Sequence, residues 1–277
     1  MEELLVTKRS IFLAFCLAII ILTILFFTSF FDKKARIVFC DVGQGDAAYV
    51  RLKNQFDILI DTGPNQKILE CLGRNMPFYD KKIELVIISH PQLDHYGGLR
   101  YLIDRYQINR IYLNDMPKNS STLNNLKQKI YHKKIPVLPI WAGSQIKLDN
   151  AYLNFFWPPK KLLEAQSSPD ENFFSIIFSL NLGKNSILFT GDASSNSLNR
   201  LLRSDIKNIS ILKIPHHGSK NGLTRQFLKL ADPQVAVISV GKNNPYGHPA
   251  KQVLEMLEAL KIKIKRTDED GDIVFKL

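Results

Sequence analysis

Cysteine is scarce in this chain: 277 residues contain three, Cys16, Cys40 and Cys71. So few exclude a disulfide framework of the kind that staples small secreted domains. A single Cys40–Cys71 bridge is conceivable, but the favoured reading is three small buried hydrophobes. Charge is missing altogether from Ile11 to Phe31. An internal repeat of fixed short period is missing too. The chain shows only a coarse duplication, in which each half passes from a β-rich section to β–α alternation. Histidine is rare, with six residues, and their placement turns out to be informative.

The uncharged run is long enough to cross a hydrocarbon core, which needs about 20 helical residues. A cleaved signal has a shorter apolar region and a small-residue cleavage site. Here the exit reads Phe30-Phe31-Asp32-Lys33, and Cys16 stands in mid-segment after Phe15, a poor context for lipid attachment. The expectation is a short tail (1–10), a retained single-pass anchor (11–31) and one large α/β domain (35–277). Lys8 and Arg9 oppose Lys33, Lys34 and Arg36, a count that slightly favours a cytoplasmic domain.

Hydrophobic residues make up 45% and charged residues 23% of the chain, enough for a full core. The formal net charge is +11. The excess suits a polyanion such as nucleic acid or an anionic membrane face, or it is simply a solvated basic surface.

From Arg36 onward, short runs rich in Val, Ile, Phe and Tyr are separated by Gly, Asn or Pro signals. Chemistry-bearing residues gather just after several of them. The strand-like Ile83–Ile88 leads into Ser89-His90-Pro91-Gln92-Leu93-Asp94-His95-Tyr96-Gly97-Gly98, then a helix over Leu99–Tyr106. Ser186–Thr190 leads into Gly191-Asp192. Ile209–Ile214 leads into Pro215-His216-His217-Gly218-Ser219, and Val235–Val240 precedes Pro245-Tyr246-Gly247-His248-Pro249. Five of the six histidines stand at such strand ends; only His132 does not. Loops at carboxyl ends of strands are where α/β folds place their chemistry. Imidazole and carboxylate packed this closely suit a divalent metal. Asp41, Asp46 and Asp61 also follow or join strands, but at such turns Asp more often holds backbone N–H groups. Lys160 to Asn172, with Ser167-Ser168-Pro169-Asp170, reads as a loop.

These motifs, in this order and spacing, resemble the metallo-β-lactamase superfamily, and more narrowly the hydrolase domain of competence proteins that import DNA (the ComEC type). The resemblance covers Ala35 to Leu277. Its further markers are Asp41-Val42-Gly43-Gln44-Gly45-Asp46-Ala47 and Ile60-Asp61-Thr62-Gly63. It implies an αββα sandwich of two sheets with helices outside, preceded here by one N-terminal transmembrane helix. It also implies one or two divalent ions, Zn²⁺ or Mn²⁺, and places the domain outside the membrane. That outer side is preferred over the charge count.

The metal candidates are His90, Asp94, His95, Asp192, His216 and His217. At most one of His216 and His217 is expected to face an ion, and His217 is favoured. Asp192 is expected to bridge two ions, as an alternative to capping the next helix. Asp94 is expected to orient the attacking water. His248 is a ligand, a phosphate contact or a proton donor to the leaving group. Ser219, Lys220, Lys242 and Asn172 are candidates for holding substrate. Gln92 stands where the superfamily often has a second histidine. Asn172 occupies the region of another missing histidine, as in the competence-type branch. The ion at Asp94, His95, Asp192 and His217 should therefore be firm, and the one at His90 weaker.

The implied function is metal-dependent hydrolysis of a phosphodiester, with nucleic acid, DNA above all, as substrate. A separate DNA channel protein would be a partner, because one anchor helix makes no channel. Alternatives are a hydrolase of a small phosphoester or other ester-like substrate, a decayed DNA-binding module, and a membrane-tethered interaction module.

Overall fold

The computed structural model describes residues 7–31, 34–53, 56–114, 120–148, 150–165 and 170–277. Residues 1–6 of the expected tail, Asp32 and Lys33, and Ser167–Pro169 of the expected loop lie outside the described residues. The chain divides into two compact units, Met1–Lys34 and Ala35–Leu277. The first holds a helix, Lys8–Phe31, of 24 residues. Its Lys8–Phe27 stretch is long and apolar enough to span a membrane, with none of it buried in the protein.

The second unit contains sixteen strands among the described residues. They are β1 (Arg36–Phe39), β2 (Ala48–Arg51), β3 (Asp57–Ile60), β4 (Lys82–Ile83), β5 (Leu85–Ile88), β6 (Gln107–Ile108), β7 (Ile111–Leu113) and β8 (Val137–Leu138). There follow β9 (Gln145–Leu148), β10 (Ala151–Trp157), β11 (Ile177–Leu182), β12 (Asn185–Phe189), β13 (Ile211–Lys213), β14 (Val235–Ile238), β15 (Lys263–Arg266) and β16 (Ile273–Lys276). One seven-stranded sheet has the order β16-β1-β2-β3-β5-β7-β8, the other β15-β14-β13-β12-β11-β10-β9. The halves echo each other. β1, β2 and β3 pair antiparallel before β3, β5, β7 and β8 run parallel. Likewise β9 to β12 pair antiparallel and β12 to β15 run parallel.

The strand period of two builds the layers. Ile37, Phe39, Ile58, Ile60 and Ile87 face a core shared with Phe178, Ile187, Phe189, Ile211 and Val237 of the other sheet. Phe39 stacks on Phe189 across it, ring centroids 5.9 Å apart. The alternate residues Val38, Leu59, Val86 and Ile88 turn outward under helices Lys67–Asn75 and Ser121–His132. Leu188, Leu212, Ala236 and Ile238 do the same under helices Arg225–Ala231 and Lys251–Ala259. The result is the αββα sandwich.

Several local expectations change. Cys40 and Cys71 form a disulfide, with Cα atoms 5.8 Å apart, so they are not independent buried hydrophobes. Cys40 follows Phe39 in alternation and therefore points outward, under the helix whose buried face carries Ile68, Cys71 and Leu72. The Lys160–Asn172 loop contains a short helix at Lys160–Glu164, begun at Pro159, and a 3₁₀ turn at Glu171–Phe174 capped by Asp170. The helix after Gly98 is regular only over Leu99–Leu102.

Candidate metal centre

The loop after β5 delivers His90, Asp94 and His95, and close backbone approach fixes it. Gly45 has φ +149°, and a Cβ there would strike the Asp94 carbonyl, to which Asp46 N donates at 3.1 Å. Gly191, at φ +49°, brings Asp192 in; its missing Cβ would lie 2.7 Å from Ser89 Cβ. Asp192 does not cap the next helix, because Ser194 does, accepting from Ser197 N. The loop after β13 turns through positive φ at His216 (50°), His217 (52°) and Gly218 (82°). Two non-glycine residues in the left-handed region are costly and are held only where surroundings demand it.

Asp94, His95, Asp192 and His217 each offer one ligand atom, all within 4.8 Å of one another. His95 Nε2 lies 3.3 Å from Asp192 Oδ1, and His217 Nε2 lies 3.2 Å from Asp94 Oδ2 and 3.5 Å from Asp192 Oδ2. The far side of each ring is fixed. His95 Nδ1 donates to Asp61 Oδ2 at 2.9 Å, and Asp61 also accepts from Ser89 N and Oγ. His217 Nδ1 donates to the Ser239 carbonyl at 2.9 Å, with Asp46 Oδ1 at 3.2 Å. Such partners set the tautomer so that Nε2 faces the site. His90 stacks beside His95 at 4.2 Å between centroids.

The buried atoms His90 Nε2, His95 Nε2 and Asp192 Oδ1 have no hydrogen-bond partner among the described residues. Unpaired buried nitrogen and oxygen atoms in and beside such a cluster fit a divalent ion. The electrostatics agree. Burial and the neighbouring His95 push the His90 ring down to about 3, so it is a neutral donor. Burial opposes ionisation of Asp192, but His217, His95 and Lys213 outweigh it and hold the carboxyl well below its ordinary range.

The other expected residues fall differently. His216 is less buried, with Nε2 3.9 Å from Asp192 Oδ2 and its Nδ1 3.5 Å from Asn172 Nδ2. Gln92 Nε2 donates to Asn172 Oδ1 at 2.8 Å. His248 faces His216 at 5.9 Å between centroids; burial and then His216 and His217 lower its pKa. Ser219 is buried in the turn, its Oγ accepting from Asn221 N at 3.3 Å, and is not among the four clustered residues. Lys220 and Lys242 are exposed nearby in sequence, without being in the cluster.

Sequence reasoning passed over Lys213, which is buried beneath the site. Its ammonium pairs with Asp46, lies 3.7 Å from Asp192 Oδ1 and donates to the Gly191 carbonyl at 2.8 Å. A lysine on a run otherwise wholly apolar, Ile209–Ile214 apart from Ser210, was the signal. Gln44 was also passed over. Its Oε1 accepts from Gly241 N at 3.1 Å and ties the first half's glycine loop to the second half.

The fold is that of the metallo-β-lactamase class. Residues 40–115 match the family model described as Metallo-beta-lactamase superfamily. Among solved structures, the metallo-beta-lactamase fold protein YhfI from Bacillus subtilis aligns with a TM-score of 0.61 at 12% identity, covering 88% of this chain and all of that one. More narrowly, the chain is similar to competence proteins. It is 25% identical to ComE operon protein 3 of Bacillus subtilis, over 92% of this chain and 35% of the relative. It is 24% identical to competence protein ComA of Neisseria gonorrhoeae, over 89% and 33%. The chain thus spans about a third of the length of these curated relatives.

Proposed function

We propose that the Ala35–Leu277 unit is a metal-dependent phosphodiesterase that cleaves DNA in connection with DNA uptake, alongside a separate channel protein. In this reading the Lys8–Phe31 helix anchors it in a membrane. The observation that carries the proposal is the convergence of Asp94, His95, Asp192 and His217 beside the unpaired His90 Nε2. Those four would hold one Zn²⁺ or Mn²⁺, and His90 with Asp192 would hold a weaker second. A bound ion of this kind lowers the pKa of water and stabilises charge on phosphoryl oxygens. Asp94, the most exposed of the four clustered side chains, would orient the attacking water. His248, kept neutral, accepts a hydrogen bond or, once protonated, donates to the leaving oxygen. Lys220 and Lys242, exposed on the loops that carry His217 and His248, would add positive charge for the substrate. The Cys40–Cys71 bridge supports an extracytoplasmic position, since disulfides persist in oxidising compartments.

One observation favours a second reading. Gln92 Nε2 is engaged by Asn172 Oδ1, as a decayed site kept only for DNA binding would allow. The test is the full chain in detergent, assayed for bound metal and for cleavage of labelled DNA, RNA and bis(4-nitrophenyl) phosphate. Metal-dependent DNA cleavage, abolished by a chelator and restored by Mn²⁺ or Zn²⁺, is expected. Cleavage of the small diester alone would favour the small-phosphoester alternative, and binding without cleavage the decayed module.

A further inference from the structure

Tyr246 stands out on the rim of the centre. The ring is 67% exposed, yet it is not loose. It stacks on His248 with centroids 5.9 Å apart and planes 22° apart. His248 in turn meets His216, which reaches Asp192. The tyrosine is therefore the outermost ring of a row that leads to the centre. Its loop is clamped by one side chain. Asn244 Oδ1 accepts from Tyr246 N at 3.2 Å and His248 N at 3.0 Å, and Asn244 Nδ2 donates to the Gly241 carbonyl at 3.0 Å and the His248 carbonyl at 2.6 Å. Pro245 and Pro249 flank the pair and restrict the backbone further. An aromatic ring left open to water but held rigid is a platform that loses little freedom when something stacks on it.

We propose that Tyr246 is a specificity-determining residue that stacks an unpaired nucleobase next to the scissile phosphate. The consequence is a preference for single-stranded over duplex substrate. The proposal rests on the phosphodiesterase reading for its scissile phosphate, but the stacking itself does not require hydrolysis. Lys242 is exposed on the same loop and Lys220 after the histidine turn, and both carry positive charge suited to phosphates. Bases in a blunt duplex are already stacked and offer no face to the ring.

The experiment uses the full chain and its Tyr246→Ala and Tyr246→Phe variants. Fluorescence anisotropy, with chelator present, measures binding of three labelled probes: a single-stranded oligonucleotide, the same length of abasic strand, and a blunt duplex. Tyr246→Ala should weaken binding of the base-bearing single strand on the order of tenfold. It should leave the abasic strand and the duplex unchanged, and Tyr246→Phe should bind as the natural protein does. Equal binding of the base-bearing strand by all three proteins, no binding of it by any, or an equal loss on the abasic strand would overturn the proposal. The last result would make Tyr246 a prop for His248. Cleavage of the same probes with Mn²⁺ separates the two claims. The expected anisotropy pattern without cleavage would overturn only the hydrolytic reading, and cleavage without that pattern only the stacking.

Discussion

Gln92 Nε2 donates to Asn172 Oδ1 at 2.8 Å, joining the loop after β5 to the turn before β11 in the other half of the chain. The pair turns two weak ligands into one satisfied hydrogen bond. In the proposed two-ion reading, His90 would be the nitrogen donor on that side and the four-residue cluster the stronger position.

Gln92→His breaks this pair and adds an imidazole. The variant should bind its second ion more tightly, on the order of tenfold, and reach full activity at lower added Mn²⁺ or Zn²⁺. Calorimetric titration of metal-stripped protein, read beside activity, checks this. Two equally tight ions in the natural protein would count against the asymmetry.

Asp192→Asn replaces the carboxylate shared by His95, His217 and Lys213 with a neutral amide. Bound metal and hydrolysis should fall together, by about 100-fold or more. Elemental analysis and the cleavage assay measure both; full activity in the variant would remove Asp192 from the centre.

Metal uptake should release protons. With no ion bound, burial works against a charged His217, but Asp192 and Asp46 outweigh it and lift the ring to about 10. His95 is likewise raised by Asp192, Asp61 and Asp94 against its burial. Because these pKa values are raised, their stabilisation of the metal-free fold is complete below the ordinary histidine range. It is lost as pH climbs through about 10 for His217. Binding an ion near neutral pH must expel these protons, about two per ion. Calorimetry in buffers of different ionisation enthalpy should record the release, and affinity should rise with pH. Uptake without proton release would contradict the assignment of His95 and His217 as ligands.

Reducing the Cys40–Cys71 bridge, which closes a separation of 31 residues, should cost about 3–4 kcal/mol of stability. The denaturation midpoint with and without reductant measures this. An unchanged midpoint would show that the two cysteines are not linked in the purified protein.

The helix Lys8–Phe31 should hold the intact chain in the membrane fraction through an alkaline carbonate wash. Full-length protein in the supernatant would exclude a spanning helix.

Much of the fold was legible because buried strands such as β3, β5 and β14 are nearly continuous Val, Ile, Leu and Ala, which few other states accept. The site was legible because polar residues break off those runs at one end. What escaped depends on which layer an element packs against. Cys40 and Cys71 meet only once the helix over β1 is placed, and nothing in their spacing states that. His217 rather than His216 enters the four-residue cluster because of backbone angles at the turn, which two identical neighbours cannot reveal. Lys213 was hidden because its partner, Asp46, comes from the other half of the chain.

The seam closed by Gln44 and Gly241 has a thermodynamic meaning. Asp94 and His95 come from one half-sandwich, Asp192 and His217 from the other, so neither half alone has more than two of the four proposed ligands. An ion can therefore reward only the fully assembled state, and by mass action it stabilises that state in proportion to the logarithm of its concentration. Distant damage to either half then registers as a loss of metal affinity: a packing defect near Phe178 would weaken coordination without touching a ligand.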